Sequence, residues 1–222
     1  MHFQLFGCVL VAVLLQAVYV SAAEDACNEY VDAVIGALKE DDEHFRDPYP
    51  MPDMSIEIWR KMLFVNHSGI IGITDGKIYG LKTLHRSGDV MANRKGHFRL
   101  RIPLGAGEVK MNTSAKIQIL GLGPVVKITA KHTFVAMTLD MVQTDPTNNP
   151  SVENFRIDRT EGSKVDVKGM GPLSFLLAQV TKIILALFGK QIRQGIEGRM
   201  GEFLAEKLQQ FVIPEECVNG LF

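Results

Sequence analysis

The residue types that do chemistry are few in this chain, and their spacing does not suit catalysis. The G-x-S-x-G elbow that exposes a nucleophilic serine is absent, as are H-E-x-x-H, the phosphate-cradling P-loop and G-x-G-x-x-G. The closest serine contexts, His67-Ser68-Gly69 and Arg86-Ser87-Gly88, miss the elbow pattern. No histidine stands at ligand spacing to a cysteine, and two distant cysteines do not make a metal site, so neither a metal nor a cofactor is expected. The run Glu40-Asp41-Asp42-Glu43 lacks the ligand alternation and central glycine of an EF-hand loop and reads as a solvated acidic loop. The sequence therefore predicts a protein that is not an enzyme.

What remains is cross-linking, modification and recognition. Leu5 to Val20 is apolar apart from Gln16, and Ser21, Ala22 and Ala23 follow. This reads as a secretory signal peptide, residues 1–22, ahead of a single domain over 23–222. An uncleaved anchor is the alternative, since Lys and Arg are missing ahead of the apolar run. A secreted, extracellular chain with no transmembrane segment after signal removal is the expectation. Cys8 leaves with the signal, and Cys27 and Cys217 remain as an even pair in an oxidising compartment, expected to bridge. Asn66-His67-Ser68 and Asn112-Thr113-Ser114 are N-glycosylation sequons, whereas Asn149 is followed by Pro150. Arg94, Lys95, Arg99 and Arg101 form a small basic cluster suited to lipid phosphates or to a solvated strand face. Lys plus Arg is 24 against 25 for Asp plus Glu, a net charge of −1, which argues against nucleic acid as a partner.

The element that must position the rest is a helix from Pro172 to Phe211. Leu173, Leu176, Leu177, Val180, Ile183, Ile184, Leu187, Phe188, Ile192 and Ile196 recur at helical spacing, Pro172 suits the first turn and Pro214 ends the run. Such a helix spans roughly 60 Å at about 1.5 Å per residue. Its first half, to Phe188, is apolar on most of its circumference, and such a helix is buried. It is too short, with Lys182 too central, to span a bilayer. Gly189 is a candidate bend. A second helix is expected over 24–39, with Val31, Val34, Ile35 and Leu38 as its stripe.

An acidic, proline-punctuated linker follows to Asp53. Residues 54–65 hold Ile56, Ile58, Trp59, Met62, Leu63 and Phe64, with Trp59 expected to seal one end of the core, before the period changes from 3.6 to 2. Ile71, Ile73, Ile78 and Leu81 are interrupted by a Thr74-Asp75-Gly76 bulge signal. Phe98, Leu100 and Ile102 alternate with His97, Arg99 and Arg101, and Val109 to Ile119 alternates so as to put Asn112 on the wet face. Val125 to Met141 reads as one long strand with a bulge near Phe134, and Phe155, Ile157, Val165 and Val167 share a parity on the last. His132 falls on the inward parity, as a hydrogen-bonded core histidine or a ligand contact. The expected fold is α+β: a meander of long antiparallel strands, strongly curved around the long C-terminal helix, plus an N-terminal helix.

Asp47-Pro48, Pro52-Asp53, Gly69-Ile70-Ile71-Gly72, Gly80-Leu81-Lys82, Arg86, Gly88-Asp89-Val90 and the opening Gly171 to Leu177 resemble the group 7 dust-mite allergens. That family is similar in fold to the juvenile-hormone-binding proteins and to the lipopolysaccharide-binding and bactericidal/permeability-increasing proteins, the tubular lipid-binding proteins. The resemblance implies an arthropod source and an apolar ligand or bacterial lipid as partner. Ten methionines and twelve phenylalanines agree with an adaptable apolar interior. The sequence thus predicts a carrier of a lipid, fatty acid or terpenoid, held between sheet and helix by Phe98, Leu100, Ile117, Ile119, Phe134, Phe155, Leu176, Val180, Ile184 and Leu187. The alternative is a secreted interaction protein with a closed core that recognises bacterial lipid or protein through its surface.

Overall fold

A computed structural model describes residues 24–43, 45–62, 65–93, 96–119, 123–145, 150–207 and 213–219. The chain opens with helix α1 (24–40), then strands β1 (Tyr49–Pro50), β2 (Met54–Met62), β3 (Val65–Tyr79), β4 (His85–Arg86), β5 (Met91–Asn93), β6 (Phe98–Ala106), β7 (Val109–Ile119), β8 (Val125–His132), β9 (Phe134–Gln143), β10 (Ser151–Glu161) and β11 (Lys164–Lys168). A short 3-10 turn over Gly171–Leu176 leads into helix α2 (Leu177–Lys207), and a last short helix, α3 (Glu215–Asn219), follows. The α+β class and the C-terminal helix against antiparallel sheet are as expected.

The strands form two sheets rather than one meander. A six-stranded sheet runs β1-β3-β7-β8-β11 with β2 also on β3, and a five-stranded sheet runs β10-β9-β6-β4 with β5 also on β6. The stretch 125–141, expected as one bulged strand, is two strands broken at Thr133. β8 lies in the six-stranded sheet and β9 in the five-stranded one. The parity switch at Phe134 marks the place where the chain changes sheet. β10 and β11 break in the same way around Gly162, whose φ of 57° and contact with Thr133 need a residue without Cβ. Residues 54–65 do not continue a helical period, because Ile56 and Ile58 alternate with Ser55 and Glu57 and β2 pairs with β3 residue for residue. The Thr74-Asp75-Gly76 signal is a bulge: the β3–β7 register slips between Thr74 and Lys77, and Asp75 takes φ 55°. The side chain of Trp59 lies outside the described residues.

Helix α2 is helical through Gly189, Gly195 and Gly198, and it lies against β10, β11 and β8. It buries one stripe, Val180, Ile184, Leu187, Phe188, Ile192 and Ile196. Its first half is not buried all round. Leu177 is 43% exposed, and Ala178, Lys182 and Ala186 also face solvent. A helix lying on a sheet meets it on one side only, so composition around the circumference did not decide burial. By length and composition the segment Ser174–Arg199 could cross a membrane, beyond the 173–188 stretch considered from sequence. Here 39% of that segment is buried, along the stripe that faces β10, β11 and β8.

Candidate functional site

The core is one continuous buried cluster. Of the residues expected to line a ligand site, Phe98, Leu100, Ile117, Phe155, Leu176, Val180, Ile184 and Leu187 are all buried in it. Ile117 belongs to the six-stranded sheet, opposite Ile71, whereas Phe98 and Leu100 belong to β6 of the other sheet. Phe134 is half-buried on the strand face opposite Val135 and Met137, its ring near His85 at a centroid distance of 6.3 Å. The side chains of Ile119 and Asn66 lie outside the described residues. Asn112 is on the outer face of β7 as parity required, half-buried, its Oδ1 accepting a hydrogen bond from Thr129 Oγ1 at 3.1 Å.

An apolar seam lies where α1 crosses the five-stranded sheet. Tyr30, Val31, Val34 and Ile35 of α1 face Ile102 and Leu104 of β6 and Leu139 and Met141 of β9 around a hollow of about 10 Å³. That volume holds a single water at most. Burial pushes the Tyr30 phenol far up, so it stays neutral. The sequence carried the signal for this site. Ile102 and Leu104 share the parity of Phe98 and Leu100, and Val31, Val34 and Ile35 are the stripe of α1. The helix facing that parity at Ile102 and Leu104 is α1, not the C-terminal helix expected from the sequence.

Polar groups fasten α1 at its first half. Cys27 is bonded to Cys217, with Cα atoms 4.9 Å apart, as expected from the cysteine count. Arg86 forks onto Asp32, Nε to Oδ1 at 3.0 Å and NH2 to Oδ2 at 2.8 Å, while its NH1 donates to the Gly88 carbonyl at 3.0 Å. Asn28 donates to Asp89 at 3.1 Å and accepts from the Val90 N–H at 2.9 Å. Asp47 accepts the Gly80 and Lys82 N–H groups at 2.9 and 3.2 Å. Asp47, Arg86 and Asp89, prominent in the sequence pattern, thus act as clasps for α1 and for the turn at Gly80.

Two other arrangements bear on recognition. A charged basin of about 330 Å³ is lined by Glu43, Arg46, Tyr49, Pro50, Arg199 and Glu202. Arg199 there stands 5.8 Å over the Tyr49 ring and donates to Glu202 at 2.7 Å. The basic cluster is answered by acids: Arg99 pairs with Glu153 at 3.0 Å and Arg101 with Asp140 at 2.8 Å, while Arg94 and Lys95 lie outside the described residues. His132 is a hydrogen-bonded core histidine. Its Nδ1 is 2.8 Å from Ser163 Oγ, its ring stacks on Phe188 at 4.8 Å, and burial lowers its pKa.

Residues 26–208 match the family model described as Group 7 allergen. The chain belongs to the group 7 allergens. Mite allergen Lep d 7 of Lepidoglyphus destructor is 24% identical over 191 residues, 84% of this chain and 86% of that relative. Among solved structures, lipopolysaccharide binding protein superposes with a TM-score of 0.56 at 15% identity, over 86% of this chain and 40% of that one. This group 7 chain therefore spans two-fifths of that protein's length and shares its fold. Takeout 1 of Epiphyas postvittana aligns at 17% identity over 72% of this chain and 80% of that one, with a TM-score of 0.38.

Proposed function

We propose that this group 7 protein is a secreted, non-catalytic carrier of a small apolar ligand, a lipid, fatty acid or terpenoid, taken up beneath α1. The observation that carries the reading is the seam between α1 and strands β6 and β9, whose facing side chains are apolar apart from the Tyr30 hydroxyl. Its closed volume is far below the few hundred Å³ of an ordinary ligand site. A ligand would enter as α1 lifts, with the clasps at Cys27, Asn28 and Asp32 holding the first half and the second half yielding. The compartment then extends along β6 past Leu100 to Phe98 and toward Phe155, and Leu176, Val180, Ile184 and Leu187 of the C-terminal helix region close its far wall. Each buried methylene contributes about 0.8 kcal/mol, so a chain of ten would supply roughly 8 kcal/mol before ordering costs.

Native mass spectrometry with organic extraction, on protein purified from its own source, tests this. A co-purifying apolar molecule is expected, with competition between it and a fluorescent fatty acid. A bare folded protein that takes up no such probe would overturn the reading.

A further inference from the structure

The outer face of the six-stranded sheet, opposite the core, carries lysines in a grid that the strand register fixes. Across β3, β7, β8 and β11 one row reads Tyr79, Lys110, Lys131, Lys164. The next reads Lys77, Asn112, Thr129, Asp166, and the next Thr74, Ser114, Lys127, Lys168. Lys116 then stands opposite Val125. Neighbouring rows are about 7 Å apart and neighbouring strands about 5 Å. Lys131 therefore has a lysine directly opposite it on both sides, and Lys127 faces Lys168. Like charges placed directly opposite each other destabilise a sheet.

Acids offset little of this. Lys131 reaches Glu108 at 3.3 Å and Lys168 reaches Asp166 at 3.7 Å. Among the described residues Lys77, Lys110, Lys116, Lys127 and Lys164 form no ion pair. The whole chain is almost neutral, at −1, so the face reflects segregation of charge and not composition. Residues 24–47, by contrast, are strongly acidic. The same sheet face exposes two aliphatic side chains at one end, Val125 at 63% and Ile70 at 46%, the latter opposite Gln118. Just past β11, Phe175 is 48% exposed.

We propose that this lysine face docks the protein onto an anionic lipid bilayer. The cations spread in two dimensions over four strands, which fits a plane of headgroups better than a single-file polyanion. Lysine is a flexible point charge that meets phosphate without fixed geometry. Val125 and Ile70 supply apolar contact at the rim. The proposal does not depend on any cargo in the interior, and it places recognition away from Arg99 and Arg101. Asn112 stands in the middle of the grid, so a glycan there would hold the face off the surface.

The test is co-sedimentation of the purified protein, unglycosylated at Asn112, with phosphatidylcholine vesicles with and without phosphatidylglycerol. Binding to the anionic vesicles alone is expected, falling as salt screens it. At about fivefold per lysine, Lys110→Gln/Lys127→Gln/Lys164→Gln should lower the partition roughly a hundredfold. The arginine version of the same triple should keep it. Lys39→Gln/Lys190→Gln/Arg193→Gln, with the same change in net charge away from this face, should stay within about twofold of the parent. Equal binding to neutral vesicles, an unchanged glutamine triple, an equal loss in the control, or capture by heparin without vesicle binding would each overturn the proposal.

Discussion

His132 shows how one residue can look functional and be architectural. It ends β8 at the corner where the chain leaves one sheet for the other, and it is 4% exposed. Its ring lies flat on Phe188 of α2, and Ser163, at the matching corner between β10 and β11, satisfies Nδ1. Burial favours the neutral ring, so the folded pKa lies below the ordinary 6.5. The unfolded chain then binds the proton more readily, and stability falls as pH drops from neutrality through the unfolded value. Thermal melts of the parent and His132→Phe between pH 7.5 and 5.5 check this. The phenyl ring keeps the stacking, so the parent should lose its margin over the variant as pH falls. Parallel melting curves would show that the ring does not titrate on unfolding.

At the scale of elements, what was legible was whatever has a period. The stripe Val31, Val34, Ile35 and Leu38 of α1, the alternation along β6 and β7, the bulge at Asp75 and the helical run of α2 all follow from apolar spacing. Three things were not legible, each for a tertiary reason. Residues 54–62 became a strand because β3 offered an edge. The 125–141 run broke because its two halves joined different sheets, and periodicity reports parity without saying which sheet is the partner. The candidate ligand residues were grouped by parity, which could not tell that β6 and β9 meet α1 over the apolar seam. Glycine meaning was equally local. At Gly80, φ is 89° and a Cβ would stand 2.1 Å from the Glu108 carbonyl, whereas at Gly171, φ is 51° with nothing nearby. Gly80→Ala should therefore cost about 2–4 kcal/mol, strain plus displaced backbone, and Gly171→Ala about 1 kcal/mol. Urea denaturation of both variants measures the difference, and equal costs would mean that the Gly80 turn relaxes freely.

Over the whole molecule, the Cys27–Cys217 bond decides how far the first helix belongs to the fold. It joins residues separated by 190 positions, so it ties α1 to α3 and closes nearly the entire domain into a loop. In the chain-entropy view a loop of this length stabilises by about 5 kcal/mol, acting on the unfolded chain. A domain of this size shifts by about 2–4 °C per kcal/mol, so reduction, or Cys27→Ala with Cys217→Ala, should lower Tm by roughly 10–20 °C. A far smaller loss would mean that the unfolded chain is already compact, or that the Asp32–Arg86 fork and the apolar stripe hold α1 alone. Asp32→Asn in the reduced protein separates those two, since only the second predicts a further drop, of about 1 kcal/mol for a half-exposed pair. The same pair of proteins bears on the carrier reading. If ligand enters as the second half of α1 yields about its clasped first half, uptake of a fluorescent fatty acid proceeds with the bond intact, and removing the bond, which loosens that pivot, should speed it further. Unchanged uptake rates in a still-folded reduced protein would mean that the first half of α1 takes no part in ligand entry.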